Sequence, residues 1–275
     1  MYIRFKDGKP KAFTLSYDDG VVQDKKLMNI FDKYGLKATF NINSGIFLSE
    51  DVERKEYSGR LKLSEAKELY INSGHEVAVH SLTHPSLSQI KSQEVICEII
   101  EDRRNLEREF QTIVRGMAYP NGAYNDAVVS TLKDCGICYS RTVQSTGGFA
   151  LPKNWLTLHP TCHHNDVKLM DYAKAFVDMN YPWRRKPLFY VWGHSYEFDN
   201  NDNWSVIEEF AKFIGGRDNI WYATNIEIYD YVKAYDSLYV SIDKKMIYNP
   251  SAIDVWAEDD GEVIMIKAGE TVYRN

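Results

Sequence analysis

The stretch FTLSYDDGV, residues 13–21, decides the fold. Residues 12–17 (AFTLSY) read as a strand buried on both faces, because the apolar run is short, continuous and bounded by turn residues. It ends in Asp18, Asp19 and Gly20. Two adjacent carboxylates at the end of a core strand repel, and each pushes the other's pKa up. A fold keeps such a pair where something offsets the repulsion or uses it. No glycine-rich phosphate loop follows this strand, which argues against a nucleotide or dinucleotide site.

Outward from that strand, strand-like and helix-like segments alternate. Residues 21–35 predict a helix, with Val22, Leu27, Ile30, Phe31 and Tyr34 largely on one face and Gly35 as a stop. Strands are predicted at 37–43, 75–81, 114–120, 138–143, 155–161 and 187–195. Helices are predicted at 64–74 (capped by Ser64), 92–111, 125–136 (capped by Asn125), 166–180 and 203–216, with a last strand running into a helix at 220–235. Repeated β-then-α units imply a parallel sheet, and seven or eight of them imply an α/β fold, a distorted (β/α) barrel, over residues 1–235. An open doubly wound sheet is the alternative. Residues 236–275 change character: short β segments broken by Asn-Pro and Asp-Asp-Gly turns predict a small C-terminal β appendage.

The net charge is −6, and no Lys/Arg-rich block is present, so neither a nucleic-acid nor an anionic-membrane partner is expected. No apolar run approaches the ~18 residues of a spanning helix. A chain starting at Met1 with no apolar leader is expected in the cytoplasm. Cys135 and Cys138 form a C-x-x-C, but no second pair completes a zinc site, so ordinary structural cysteines are expected, as for Cys97 and Cys162.

In a barrel, chemistry collects at the C-terminal ends of the strands. Those exits carry Asp18 and Asp19, then His80 and His84, then Tyr119-Pro120-Asn121-Gly122, then Arg141, then His159, His163 and His164, then His194. The His80/His84 spacing suits one helix face, as in H-E-x-x-H peptidases. Ser81 replaces the needed glutamate, however, and Pro85 biases His84 away from the α region, so a tight loop is predicted. Two imidazoles and one carboxylate make a divalent-cation site with open positions, and Asp19 is the natural carboxylate. The cation would offset the Asp18/Asp19 repulsion and leave the other aspartate free as a base beside an acidified water.

Ser16-Tyr17-Asp18-Asp19-Gly20 and His80-Ser81-Leu82-Thr83-His84, each after a strand, resemble the first two motifs of the polysaccharide deacetylase family (the NodB-homology domain, carbohydrate esterase family 4). The resemblance covers roughly residues 10–235. It implies a distorted (β/α) barrel and metal-dependent hydrolysis of acetyl groups on N- or O-acetylated sugars, with a water on the metal attacking the acetyl carbonyl. It makes Asp18 the base and assigns one divalent metal to Asp19, His80 and His84, zinc first, with cobalt, nickel or manganese as alternatives. By position in YVWGHS, His194 corresponds to the family's general acid. AYPNG stands where the third motif does and makes Asn121 N–H the oxyanion donor; Arg115 lies too far from Pro120, so Arg141 takes the role of the missing charge. The fourth motif, which orients the acid, has no clear counterpart; NWLTLHPTCHH fills that stretch, and His163 or His164 is expected to touch substrate or pair with Asp18. Tyr119, Trp192 and His163 are the expected substrate contacts, with Tyr196 and Trp155 further aromatic candidates. The expected partner is an acetylated carbohydrate. Two other readings stand beside this one: a C–N hydrolase of small amides or cyclic ureides on the same scaffold, and a non-catalytic carbohydrate-binding protein.

Overall fold

In the computed structural model, residues 1–53, 59–179 and 187–274 are described. The sheet strands are β1 (Tyr2–Arg4), β2 (Lys11–Asp18), β3 (Ala38–Ile42), β4 (Glu76–Val79), β5 (Gly116–Ala118), β6 (Tyr139–Arg141), β7 (Cys162–His163), β8 (Leu188–Gly193) and β9 (Ile220–Tyr222). The parallel strands run in the order β6-β5-β4-β3-β2-β8-β7, with β9 paired to the first half of β2. Helices α1 (Asp24–Lys33), α2 (Leu63–Tyr70), α3 (Ser92–Phe110), α4 (Asp126–Asp134), α5 (Leu169–Asp178), α6 (Tyr196–Asn200), α7 (Trp204–Ile214) and α8 (Asn225–Asp236) follow the strands. This is the distorted (β/α) barrel the sequence predicts, not the open doubly wound sheet. The seam between β6 and β7 is spanned by residues 158–161: Leu158 N–H donates to Ser140 O at 2.9 Å, and Thr161 N–H to Tyr190 O at 2.8 Å.

Every residue of β2 is buried. Its two faces nevertheless differ, because side chains alternate along a strand. Phe13, Leu15 and Tyr17 join the apolar layer under the helices, where Leu27 and Phe31 of α1 meet them. Burying each such side chain is worth about 1.5–3 kcal/mol. Thr14, Ser16 and Asp18 form the other set, and that set is hydrogen-bonded: Thr14 Oγ1 donates to Asn225 Oδ1 at 2.9 Å, and Asn41 Nδ2 donates to Ser16 Oγ and to Asp18 Oδ1, both at 2.8 Å. The period of two therefore delivers Asp18 to the polar interior of the barrel.

Several expected boundaries shift. Residues 155–157 form a 3₁₀ turn, and the strand expected at 155–161 is instead the two-residue β7. Asn154 Oδ1 accepts from Leu156 N–H at 3.0 Å, which holds the turn, and Pro160 has no N–H to give a ladder. Ser64 is not the cap of α2: it lies inside the helix, where its N–H and hydroxyl both donate to Glu50. Asn125 does cap α4, accepting from Val128 N–H at 3.0 Å. Residue 180, the expected end of the 166–180 helix, lies outside the described residues; α5 is shorter at both ends.

Past α8 come β10 (Tyr239–Val240), β11 (Met246–Tyr248), β12 (Val255–Asp259), β13 (Glu262–Ile266) and β14 (Thr271–Tyr273). They form two antiparallel three-stranded sheets, β10-β11-β14 and β1-β12-β13, so the N-terminal strand completes the second. Ile247, Ala257 and Ile266 make their shared core. Tyr231 ties them to the barrel: its hydroxyl donates to Arg4 O at 2.7 Å and accepts from Trp256 N–H at 2.9 Å. All four cysteines are free thiols. No described helix is long and apolar enough to cross a membrane.

Candidate active site and metal centre

Asp18 lies at the centre. It is 2% exposed. Asn41 Nδ2, at the exit of β3, donates to Oδ1. Arg141, fully buried at the end of β6, pairs through Nη2 with Oδ2. Oδ2 also lies 3.8 Å from His80 Nε2 on one side and 3.8 Å from His194 Nε2 on the other. Burial pushes the Asp18 carboxyl up, but Arg141 and the two imidazoles outweigh it and hold it down at about 2. Arg141 is itself backed by the Trp192 ring, its guanidinium carbon 4.3 Å from the ring centroid. The structure thus brings Asp18, Arg141 and His194 together.

Asp19 turns the opposite way because its backbone is left-handed, φ 90°, with its N–H donating to Asn41 O at 2.9 Å. A non-glycine residue held there is strained and needs the surroundings to enforce it. Its Oδ1 lies 3.9 Å from His80 Nε2 and 3.7 Å from His84 Nε2. The His80–His84 stretch is a tight loop after β4, not a helix: Ser81 and His84 both have φ 63°, and His84 N–H donates to Ser81 Oγ at 3.0 Å. Asn43 Nδ2 donates to Ser81 O at 2.9 Å, and Asp102 accepts the His80 N–H at 3.1 Å, which fixes the loop from below.

The cluster fits a divalent cation on its own donor chemistry. His80 Nδ1 is 2.9 Å from Ala118 O and can only donate there, so the Nε2 lone pair faces Asp19. Burial draws the His80 pKa down to about 4, which keeps the ring neutral at pH 7. Asp19 Oδ1 is buried; among the described residues it ion-pairs with Arg60 Nη2 at 2.9 Å without the geometry of a hydrogen bond. Asp19, His80 and His84 offer ligand atoms that all lie within 4.8 Å of one another.

A second group with the same ligand types, His163, His164 and Glu197, meets the same distance test. Here the donor chemistry does not fit. Asn165 N–H donates to His163 Nδ1 at 3.1 Å, so the Nε2 of a neutral His163 carries the proton and has no lone pair for a metal. That Nε2 lies 3.3 Å from Glu197 Oε2; His164 Nε2 lies 2.9 Å from the same oxygen, and Asn165 Nδ2 donates to it at 2.8 Å. Glu197 Oε1 accepts from His194 Nδ1 at 2.9 Å. The carboxylate is crowded by donors, which hold its pKa well below the usual range against the cost of burial. His194 goes the other way. Burial lowers its pKa, but the Glu197 bond and the Asp18 charge raise it more, and the net shift is upward.

Glu197 is the site residue that the sequence reading missed. The signal was present: it stands three residues after His194 in HSYE, a spacing that brings side chains together at the start of a helix. The expectation that His163 or His164 pairs with Asp18 is corrected, since both lie against Glu197. Asn121 sits in the turn after β5 with φ 55°, its Nδ2 donating to Ser86 Oγ at 3.3 Å. Tyr119 is 1% exposed, with its hydroxyl donating to Leu156 O and its ring stacked on Tyr124, so it offers no face to a substrate. Trp192 is 8% exposed and packs edge-on against His163. Trp155 packs on Tyr229 in a second apolar cluster, and His159 pairs with Thr142; neither joins the site. Tyr196 lies beside His194, ring centroids 5.2 Å apart.

The family profile described as polysaccharide deacetylase matches residues 5–140, the stretch that carries both acidic and histidine motifs. Residues 5–140 place this part of the chain with the polysaccharide deacetylase family. A chitooligosaccharide deacetylase of Sinorhizobium fredii is 26% identical over 133 residues, 47% of this chain and 55% of that protein. Against another curated relative the matched stretch is only 26% of the relative's length. Among solved structures, the Xyl-CE4 domain of a multidomain xylanase from the hindgut metagenome of Trinervitermes trinervoides has a TM-score of 0.53 at 19% identity, over 82% of this chain and 92% of that one. A family 4 carbohydrate esterase from Streptomyces lividans, in complex with acetate, has a TM-score of 0.50 at 15% identity, over 75% of this chain and 88% of that one. At these identities the structural likeness bears on the fold, which it places with this family's distorted barrels.

Proposed function

We propose that this member of the deacetylase family hydrolyses acetyl groups from acetylated sugars with one divalent cation. The observation that carries the reading is the position of Asp18, with His80 of the Asp19/His80/His84 cluster on one side and His194 on the other, the Nε2 of each 3.8 Å from Oδ2. Asp19, His80 and His84 would hold a divalent cation such as zinc, which would supply Lewis acidity to the acetyl carbonyl and to water. Asp18, kept ionised by Arg141 and Asn41, accepts the proton of the attacking water. The Asn121 backbone N–H is the donor to the developing oxyanion. His194 gives the Nε2 proton to the departing amine or alcohol, and Glu197 holds its Nδ1–H so that Nε2 faces Asp18. Trp192 and His163 form the wall beside the acid, where the sugar is bound.

The test is acetate release from N-acetylchitooligosaccharides and from acetylated xylan by metal-stripped protein reloaded with zinc or cobalt, against Asp18→Asn. Metal-dependent acetate that vanishes in the variant is the expected result. No acetate from either substrate, with cation still bound, overturns the substrate class and leaves small amides or cyclic ureides to be tried.

A further inference from the structure

Asp24 is fully buried, and it forms none of the ion pairs found among the described residues. It accepts from three donors on three parts of the chain. Val21 N–H, in the turn that follows Asp19, donates to Oδ2 at 3.1 Å, and Tyr70 OH, at the end of α2, donates to the same oxygen at 2.6 Å. Ser195 Oγ donates to Oδ1, and Ser195 is itself fully buried and directly follows His194. A second bridge runs parallel: Gln23 Nε2 donates to Asp199 Oδ2 at 2.8 Å, and Asp199 Oδ1 accepts from Trp204 Nε1 at 2.7 Å. Both bridges join the loop that carries Asp18 and Asp19 to the segment that carries His194 and Glu197.

A buried carboxylate without a countercharge is expensive, and burial pushes the pKa of this one up to about 7. Hydrophobic packing alone would be served better by an apolar residue. What this carboxylate does that no apolar residue can do is fix two loop segments by directional bonds. The two segments leave different strands, β2 and β8, and both start their turns directly at the site.

We infer that Asp24 and Ser195 are positioning residues: the Asp24–Ser195 bridge locks the base-and-cation loop to the acid-histidine segment and sets where His194 Nε2 stands relative to Asp18. The inference rests on the function proposed above only for its kinetic readout. Tyr70 supplies an internal control, since from α2 it bonds the other oxygen of the same carboxylate, Oδ2, while Ser195 bonds Oδ1.

The experiment compares Ser195→Ala and Tyr70→Phe in the full chain, loaded with zinc. A small misplacement of a catalytic group costs far more rate than binding, so Ser195→Ala should lower kcat by about tenfold or more with KM within about twofold. It should also shift the His194 ring ¹⁵N signals and leave zinc affinity unchanged. Tyr70→Phe should lower the unfolding midpoint yet leave kcat and the His194 signals in place. Equal effects of the two variants on kcat, or His194 signals unmoved in Ser195→Ala, overturn the inference. The ¹⁵N arm needs no turnover: signals that move in a protein that releases no acetate would sink the substrate class and keep the positioning role.

Discussion

Two clusters of histidine and carboxylate stand on either side of Asp18, and by distance alone both qualify as metal sites. What separates them is where the far ring nitrogen points. In the first, His80 Nδ1 faces a carbonyl oxygen, which fixes the proton there and frees Nε2. In the second, His163 Nδ1 faces an N–H, which puts the proton on Nε2 and turns that ring into a donor toward Glu197. The same residue types therefore free a ligand nitrogen in one place and make a hydrogen-bonded carboxylate hub in the other. Ligand inventories read from sequence or from distances cannot tell these apart; the partner of the second nitrogen can.

The comparison breaks most directly under substitution of the two carboxylates. Asp19→Asn should weaken cation binding by about 100-fold or more, read by competition with a chelator, because an amide cannot replace the anionic ligand. Glu197→Gln should keep the cation and instead lower kcat by about 10²–10⁴-fold, the usual range for a displaced general acid. The reverse pattern would exchange the roles of the two clusters.

Next in size is the buried pair that links them. Arg141→Met leaves Asp18 buried and unpaired, and breaking such a pair costs about 3–5 kcal/mol, measurable by denaturant unfolding. A loss below about 1 kcal/mol would mean that the pair is not the anchor of the site.

The hub also makes a pH prediction. Glu197 raises the His194 pKa, and under the proposed function His194 acts only while protonated. Activity should therefore fall as pH rises through the His194 pKa, and in Glu197→Gln the alkaline limb of kcat should move to lower pH. A limb that stays in place would remove Glu197 from that role.

How much of this was legible beforehand follows from chain locality. The Asp18-Asp19 and His80/His84 motifs are local, each sits at a strand exit, and the barrel was readable from the alternation of buried strands and amphipathic helices. Arg141 was readable as a charge at an exit. Tyr119 misled because its exit position says nothing of burial, and its hydroxyl is spent on Leu156 O inside the fold. The 155–161 stretch misled because apolar alternation resembles a strand even where the chain only closes a seam. Asp24 carries no signal of its own in the sequence; its meaning lies in Ser195, 171 positions away.

A smaller effect tests that buried acid. Its folded pKa, about 7, lies above the unfolded carboxylate value. Between the two the native state holds the extra proton, so this group's effect is to lower stability as pH rises from about 4 to 7. Asp24→Asn removes the dependence: the difference in unfolding free energy between pH 5 and pH 8 should change in the variant by an amount of a few kcal/mol at most. An unchanged difference would mean that Asp24 stays ionised throughout.

The central claim is that one cluster holds a cation and its neighbour does not. Elemental analysis and zinc titration of the metal-stripped chain, alongside Asp19→Asn and His163→Ala, test it in one experiment. The account predicts one equivalent of zinc per chain, retained in His163→Ala and lost in Asp19→Asn. Two equivalents in the unaltered chain, or a tight equivalent lost in His163→Ala and kept in Asp19→Asn, would contradict it.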